Sequence, residues 1–253
     1  SQRSQLEDNG GSHNSQLDDV LEQAYSAPSK SLAIQFANRA IELDPNCVEA
    51  YMLKCNLAPS IKEAIKWAEE GVQSVAQQLG STYFKENKGL FWGLHETRPY
   101  MFLLAELGSL QTKNNQLKKA ISSYEQLLDL NPNDNQGIRH SLLPVYLQDH
   151  QYQNAQALLD QYIEDKSAFM CFNAALLSYV TTGDTTESKH LRKTANSYNK
   201  YVAKYLSGKL KMPQEYPEYY GVGDKNEAIQ FTSLNLKLWR SITGLIPWLL
   251  KSK

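Results

Sequence analysis

The sequence lacks the features of several large protein classes. Its three cysteines, Cys47, Cys55 and Cys171, show no Cys-x-x-Cys spacing, which argues against a disulfide framework or a zinc site and favours a reducing, cytoplasmic compartment. No apolar run reaches the roughly 18–20 residues of a membrane span, and the longest candidate, 242–250, is interrupted by Pro247. The 26 basic and 27 acidic residues give a net charge of −1, which argues against a surface built to bind nucleic acid.

Catalytic and metal-binding motifs are also missing. The five histidines include no His-Glu-x-x-His pair, and there is neither a Gly-x-Ser-x-Gly motif nor a phosphate-binding loop. We therefore predict no enzyme, no metal site and no cofactor. One alternative of another class stays open, a hydrolase or transferase that uses His95, Glu96 and Arg98 in the aromatic-rich segment 81–101.

The clearest positive feature is residues 96–132, which form two amphipathic helices joined by a polar turn. Small and large apolar residues recur on them at fixed offsets: Leu104, Leu107, Gly108, Ala120, Tyr124, Leu127 and Pro132. Gly108 and Ala120 would lie where the two helices touch, because only small side chains let helix backbones approach closely. The pattern resembles one helical hairpin of a tetratricopeptide (TPR) repeat.

Similar hairpins recur along the chain, so the predicted fold is all-α, a TPR-like helical-hairpin solenoid of about five pairs. The repeats occupy residues 16–206, with the first helix over 16–25 and an irregular insertion at 81–100. Ala120 and Ala155 are 35 residues apart, close to the TPR period. Residues 1–15 are polar and predict a flexible tail.

Residues 207–253 depart from the repeat and predict a wrapping loop followed by capping helices. We expect a helix over 225–240, capped by Asp224 and with Glu227 completing a capping box. The last helices carry large apolar residues. These are Trp239, Leu245, Trp248 and Leu249. The alternative function is therefore a structural protein that self-associates as a homo-oligomer through this C-terminal face.

Longer landmarks add a family resemblance. They are Phe91-Trp92-Gly93 with Glu96-Thr97-Arg98-Pro99-Tyr100, the run Asn131-Pro132-Asn133-Asp134-Asn135-Gln136-Gly137-Ile138-Arg139, and the run that begins Tyr220-Gly221-Val222-Gly223-Asp224. Over residues 32–250 the chain resembles bacterial TPR proteins that are similar to the C-terminal region of the suppression-of-tumorigenicity family. The resemblance implies a TPR scaffold without catalytic activity. At 199–203 the family's Asn-Pro-His-Val-Pro is replaced by Asn-Lys-Tyr-Val-Ala, so a continuous helix is expected there.

The first helix of each TPR hairpin lines a concave groove, and the resemblance implies groove positions at Phe102, Ala105, Ser109, Thr112 and Lys113. Arginine binds a carboxylate with two hydrogen bonds, and asparagine pairs with a peptide backbone. We therefore predict a scaffold that binds a protein or peptide in this groove. The candidate contacts are Arg98, Phe102, Lys113, Asn135 and Arg139. A second interpretation stays open, in which Arg98 and Arg139 are buried and form structural pairs.

One basic stretch, residues 189–211, interleaves lysines with tyrosines, as nucleic-acid binders do. Its apolar residues also fall at helical spacing, which indicates a core face with the lysines in solvent. We favour that second interpretation and predict no nucleic-acid partner.

Overall fold

The computed structural model of the chain describes the backbone of residues 4–251 and the side chains of residues 15–251. Within that range the regular structure is helical throughout, as the sequence predicts, and β-strands are missing from it. The chain divides into two compact units, Ser1–Ile138 and Arg139–Lys253. This division differs from the predicted boundary between repeats and cap at residue 206.

The first unit consists of helices that pack in chain order, each against the next. They are α1 (Ser4–Ser26), α2 (Lys30–Leu43), α3 (Val48–Leu57), α4 (Ile61–Glu86), α5 (Arg98–Lys113) and α6 (Leu117–Leu130). Helix α1 pairs with α2, α3 with α4, and α5 with α6, and α2 and α4 also pack against the first helix of the next pair. The three predicted hairpins of this unit are therefore confirmed.

Small residues allow these helices to approach. A Cβ atom placed on Gly108 would lie 2.6 Å from the Tyr124 ring, and one placed on Gly71 would lie 2.6 Å from both Tyr51 and Leu103. Ala120 is fully buried at the contact of α5 and α6. The predicted role of Gly108 and Ala120 as close-contact positions is confirmed.

The predicted start of the first helix at Gln16 is wrong, since α1 begins at Ser4. A helix extends backwards at little cost once its amphipathic part is packed, and Leu17, Val20 and Leu21 pack against the core. Residues 1–3 and the side chains of residues 4–14 lie outside the described part of the chain. The flexibility expected for residues 1–15 therefore stays a prediction.

The irregular insertion is shorter than predicted. Helix α4 continues to Glu86 past Gly80, whose φ of 78° is non-helical, and α5 already begins at Arg98. Two 3-10 turns, Phe91–Gly93 and His95–Thr97, lie between the helices. The positive φ at Gly80 is available to glycine without strain, so α4 changes direction there and its last turn reaches the aromatic segment.

The second unit is organised around the apolar helix α9. Its helices are α7 (Ile138–Gln148, starting at the last residue of the first unit), α8 (Tyr152–Gln161), α9 (Ala168–Thr182), α10 (Thr186–Tyr198), α11 (Val202–Leu206), α12 (Lys225–Ser241) and α13 (Leu245–Leu249). Helix α9 packs against α8, α10 and α12. The expected continuous helix through 199–203 is wrong, because the buried Asn199 side chain accepts a hydrogen bond from the Tyr201 N–H and ends α10.

The capping box predicted for α12 is only half formed. Asp224 accepts a hydrogen bond from the Glu227 N–H at 2.7 Å, as predicted. The Glu227 carboxylate is fully buried and accepts from three other donors: the Gly223 N–H at 2.7 Å, the Asn199 side-chain amide at 2.8 Å and the Ala168 N–H at 2.8 Å. This one carboxylate therefore ties α12 to the first residue of α9 and to the end of α10.

The apolar residues proposed for self-association are already used inside the chain. Trp239, Leu245, Trp248 and Leu249 are each at most 2% exposed. The Trp239 indole packs near Phe172 of α9, and Trp248 packs on Tyr179 with ring centroids 4.6 Å apart. These four side chains therefore lack the exposed surface that the predicted self-association through them requires, and self-association of the chain itself stays a prediction. Sequence periodicity marks an apolar face but cannot tell which surface covers it.

Candidate functional site

One side of helix α5 is accessible to solvent over its whole length. It carries Arg98, Phe102, Ala105, Ser109 and Thr112, which are spaced by three and four along the helix, and Lys113 next to Thr112. All of these side chains are half-buried or exposed. The intervening positions are buried, among them Leu103, Leu104 and Leu107. The positions that the TPR resemblance assigns to a ligand-facing surface are thus outside the core of the first unit.

The N-terminal end of this face carries an aromatic and cationic cluster formed by Trp92, Arg98 and Phe102. The Arg98 guanidinium carbon lies 5.1 Å from the Trp92 ring centroid, and Arg98 Nε donates to the Trp92 carbonyl at 3.0 Å. The Trp92 and Phe102 rings meet edge to face, with centroids 6.0 Å apart at 76°. The Phe102 side chain remains 50% exposed.

The 3-10 turn that presents Trp92 is anchored from below. Phe91 is fully buried, and the Thr97 hydroxyl donates to the carbonyls of Phe91 and Leu94. Phe84 lies between Phe91 and Tyr100, with centroid distances of 5.0 and 5.2 Å. These aromatics fill the space between α4 and α5. Trp92 is the exception, since it is only half-buried and its ring meets that of Phe102.

The Tyr100 side chain is almost completely buried within this aromatic packing. Burial raises the pKa of its phenol to about 12, against the opposing effect of the hydrogen bond that its oxygen accepts from Gln126 at 3.0 Å. The phenol is therefore neutral under ordinary conditions. The 3-10 turn that contains Trp92 therefore rests on buried aromatic side chains, among them Phe91 and Tyr100.

His95, Glu96 and Arg98, the residues of the enzymatic alternative, do not converge. Glu96 accepts a hydrogen bond from the Tyr83 hydroxyl at 2.8 Å, and Arg98 binds the Trp92 backbone. His95 and Glu96 are exposed. The closed pocket that this alternative requires is not formed by these three side chains.

The remaining candidates in the first unit are dispersed. Lys113 is exposed at the C-terminal end of α5, and Asn135 is exposed in the turn before α7. Its neighbour Asp134 is buried and accepts a hydrogen bond from the Ile138 N–H at 2.6 Å, so it caps that helix. The structure therefore groups Arg98 and Phe102, and it places Lys113 about four helical turns further along the same face.

Arg139 belongs to the second unit, where it has structural partners. Its Nε donates to Asp165 at 2.6 Å, and its guanidinium carbon lies 5.1 Å from the Tyr162 ring centroid. The His140 Nε2 lies 2.8 Å from the same Asp165 oxygen, and its ring stacks on Phe169 at 4.5 Å. These contacts support the interpretation of Arg139 as a structural pair.

The Asp165 carboxylate is strongly stabilised in its charged form. Burial by itself would raise its pKa, but hydrogen bonds from His140, Ser167 and Arg139 outweigh burial and hold the pKa well below its ordinary value. The cluster of Arg139, His140 and Asp165 thus fixes the residues that lead into α9. No sequence motif marks it, because Arg139 and Asp165 are 26 residues apart.

Two general findings limit the chemistry of the described residues. Between residues 15 and 251, His, Cys, Asp and Glu side chains do not assemble in groups of three or more that could hold a metal ion. In the same part of the chain, every helix is too short or too polar to cross a membrane.

Paired antiparallel helices with glycine and alanine at their contacts, and an accessible face on the first helix of a pair, define a TPR-like helical-hairpin protein. The solved structure of YrrB, described as a TPR protein with an unusual peptide-binding site, superposes with a TM-score of 0.50 and 19% identity, over 70% of this chain and 84% of YrrB. This likeness shows the fold.

A family model described as "ST7 protein" matches residues 7–251, and the chain belongs to that family. It is 25% identical to a suppressor of tumorigenicity 7 protein-like of Bos taurus and 23% identical to a protein ST7 homolog of Drosophila melanogaster, in each case over 90% of this chain. The matched regions cover 45% and 47% of those proteins, so the chain spans less than half of their length.

Proposed function

We propose that the chain is a non-catalytic scaffold that binds an extended peptide segment of a protein on the accessible face of α5. The observation that carries the proposal is the half-exposed Phe102 beside the Trp92 and Arg98 pair. A phenylalanine ring left half in water forgoes part of the roughly 1.5–3 kcal/mol that full burial would supply, and a ligand side chain can recover it. YrrB, the solved neighbour, is described as having a peptide-binding site, which agrees with a binding function for this fold.

The charges of the face suggest an acidic residue in the peptide. Arg98 at one end and Lys113 at the other are cations, and Ala105, Ser109 and Thr112 between them are small, while Glu106 of the same helix is half-buried and acidic. A small-residue strip lets an extended backbone approach, and a cation at each end favours carboxylates through charge-assisted hydrogen bonds. Asn135 stays a predicted contact. Arg139 stays a separate candidate, for which the salt bridge with Asp165 favours the structural interpretation.

The test is a selection of random linear peptides on the intact chain, followed by affinity measurements with the selected peptides. We expect Phe102→Ser to weaken binding about tenfold, since it removes a central aromatic contact. Lys113→Glu should reverse the preference for acidic peptides. Tyr25→Ser is the matched control, because Tyr25 is 63% exposed in α1 of the same unit and lies outside the α5 face.

The assignment fails if the selected peptides bind the Phe102→Ser and Lys113→Glu variants as tightly as the unmodified chain. A photo-crosslinking residue at position 109 gives an independent check, because Ser109 lies midway along the face and is half-buried. Peptide crosslinks to α5 are expected from that position.

A further inference from the structure

The second unit contains a basic cleft whose residues the proposed peptide site does not use. Its volume is about 510 Å³, the size of a small polar ligand. Its walls come from the C-terminal half of α10, from α11 and from the end of the chain. The six cationic residues of the lining are Arg192, Lys193, Lys200, Lys204, Lys209 and Lys251. The lining includes no carboxylate.

The concentration of positive charge is local. Across the whole chain, 26 basic residues face 27 acidic ones. From residue 188 to residue 214, however, there are seven lysines and arginines and neither an aspartate nor a glutamate. Like charges held close together repel, so a cluster of this kind has a positive potential that attracts an anion.

The cleft also has a fixed base. Arg192 is 1% exposed, donates to the Trp248 carbonyl at 2.7 Å and lies 5.1 Å from the Trp248 ring centroid. At the rim, the Lys200 and Lys204 amines lie 5.3 and 5.8 Å from the ring centroid of Tyr201. Both amines therefore lie beside the same tyrosine ring.

One carboxylate acts on the cleft from outside its lining. Asp184 accepts a hydrogen bond from the Trp248 indole at 2.7 Å and binds Lys251 at 3.2 Å, with Lys189 at 3.9 Å. Among the residues that line the cleft, Lys251 is therefore the one that forms a salt bridge with Asp184. Lys200 and Lys204, on the opposite part of the rim, have the Tyr201 ring as their neighbour and are exposed.

The side chains favour phosphate over nucleobases. Lysine is a compact point charge that binds phosphate oxygens from several directions. A nucleobase needs a free aromatic face on which to stack, but the Tyr201 ring is half-buried and flanked by the two lysines, and Tyr198 lines a different groove.

We propose that this cleft binds a ligand that carries clustered phosphate groups. A free polyphosphorylated small molecule and the phosphorylated headgroup of a lipid share this chemistry.

The first experiment titrates inorganic tripolyphosphate into the intact chain and follows binding by calorimetry. The Lys200→Gln/Lys204→Gln variant should bind at least about tenfold more weakly, since it removes two charge-assisted contacts. The Lys62→Gln/Lys118→Gln variant is the matched control, because it changes the net charge equally with two exposed lysines of the first unit. Equal weakening in both variants, or no binding to the unmodified chain at low salt, overturns the proposal.

Further arms separate the sources of phosphate. Inositol hexakisphosphate binding that depends on Lys200 and Lys204 supports a free ligand. Binding to vesicles that contain phosphatidylinositol 4,5-bisphosphate, but not to vesicles with an equal charge of phosphatidylserine, supports a lipid headgroup. Equal binding to both kinds of vesicle overturns the recognition of clustered phosphates. Tighter binding to a 15-residue oligothymidylate than to inositol hexakisphosphate, lost in the same double variant, overturns it in favour of nucleic acid.

Discussion

Glu227→Gln is a sharp test of how the second unit is held together. The Glu227 carboxylate accepts from the Ala168 N–H through one oxygen, and from Asn199 and the Gly223 N–H through the other. Glutamine keeps the size of the side chain but has only one acceptor oxygen. If its amide nitrogen faces Ala168, one donor loses its acceptor. If it faces Asn199 and Gly223, two donors do.

The expected loss of stability is that of the less costly amide orientation, in which only the Ala168 N–H loses its acceptor. A buried donor without an acceptor costs about 1–3 kcal/mol, and hydrogen bonds to a neutral amide are weaker than those to a carboxylate. We therefore expect Glu227→Gln to destabilise the second unit by about 2–4 kcal/mol. Asn199 cannot compensate by rotating its amide, because its oxygen already accepts from the Tyr201 N–H.

Native-state hydrogen exchange is the appropriate assay, since a chain of two compact units need not unfold in one step. Ala168 is the first residue of α9, so its N–H has no acceptor within the helix, and its protection reports the bond to Glu227. Exchange at Ala168 and Gly223 should accelerate by roughly 30- to 700-fold. Glu215→Gln, an exposed residue of the preceding loop, is the control. Unchanged protection in Glu227→Gln would refute the reasoning.

Two further predictions concern packing and pH. Gly108→Ala should destabilise the first unit by about 1–3 kcal/mol in urea unfolding, because its Cβ would lie 2.6 Å from the Tyr124 ring, whereas Gly93→Ala, with open space around its Cβ, should be nearly neutral. Because the folded-state pKa of Asp165 is depressed, its contribution is present above its unfolded pKa of about 4 and is lost as pH falls below that value. The free energy of unfolding of Asp165→Asn should therefore depend less on pH below about 4 than that of the unmodified chain. An unchanged pH dependence would contradict this assignment.

Much of the fold was predictable because its determinants are local. Helical periodicity and the small residues Gly108 and Ala120 predicted the hairpins, and Asp224 caps α12 at the predicted start. Capping acts within three or four residues, so a single sequence contains it. The irregular course of the aromatic segment was predictable for the same reason, but the helical conformation of residues 81–86 was not.

The candidate site was predictable only in part. The α5 face, with Phe102 and Lys113, was implied by the TPR resemblance, whose offsets recur along one helix. The contact of Trp92 with this face was not predicted, because a sequence does not show which side of a 3-10 turn meets solvent. The sequence predicted the lysines of the basic stretch to lie in solvent, and Lys193, Lys200, Lys204 and Lys209 are exposed. That they line one cleft with Arg192 was not predictable, because the cleft is completed by residues 249–251.

The sequence by itself therefore determined the class of the protein: helical hairpins, their order and the accessible side of each well-formed helix, all of which depend on contacts within a few turns. Only the tertiary structure decided where distant polar groups meet. The burial of Glu227 against Ala168, the pairing of Arg139 with Asp165 and the covering of Trp239 and Trp248 join residues more than 20 positions apart. Such contacts depend on how whole helices pack, because burial and electrostatics act through space and not along the chain.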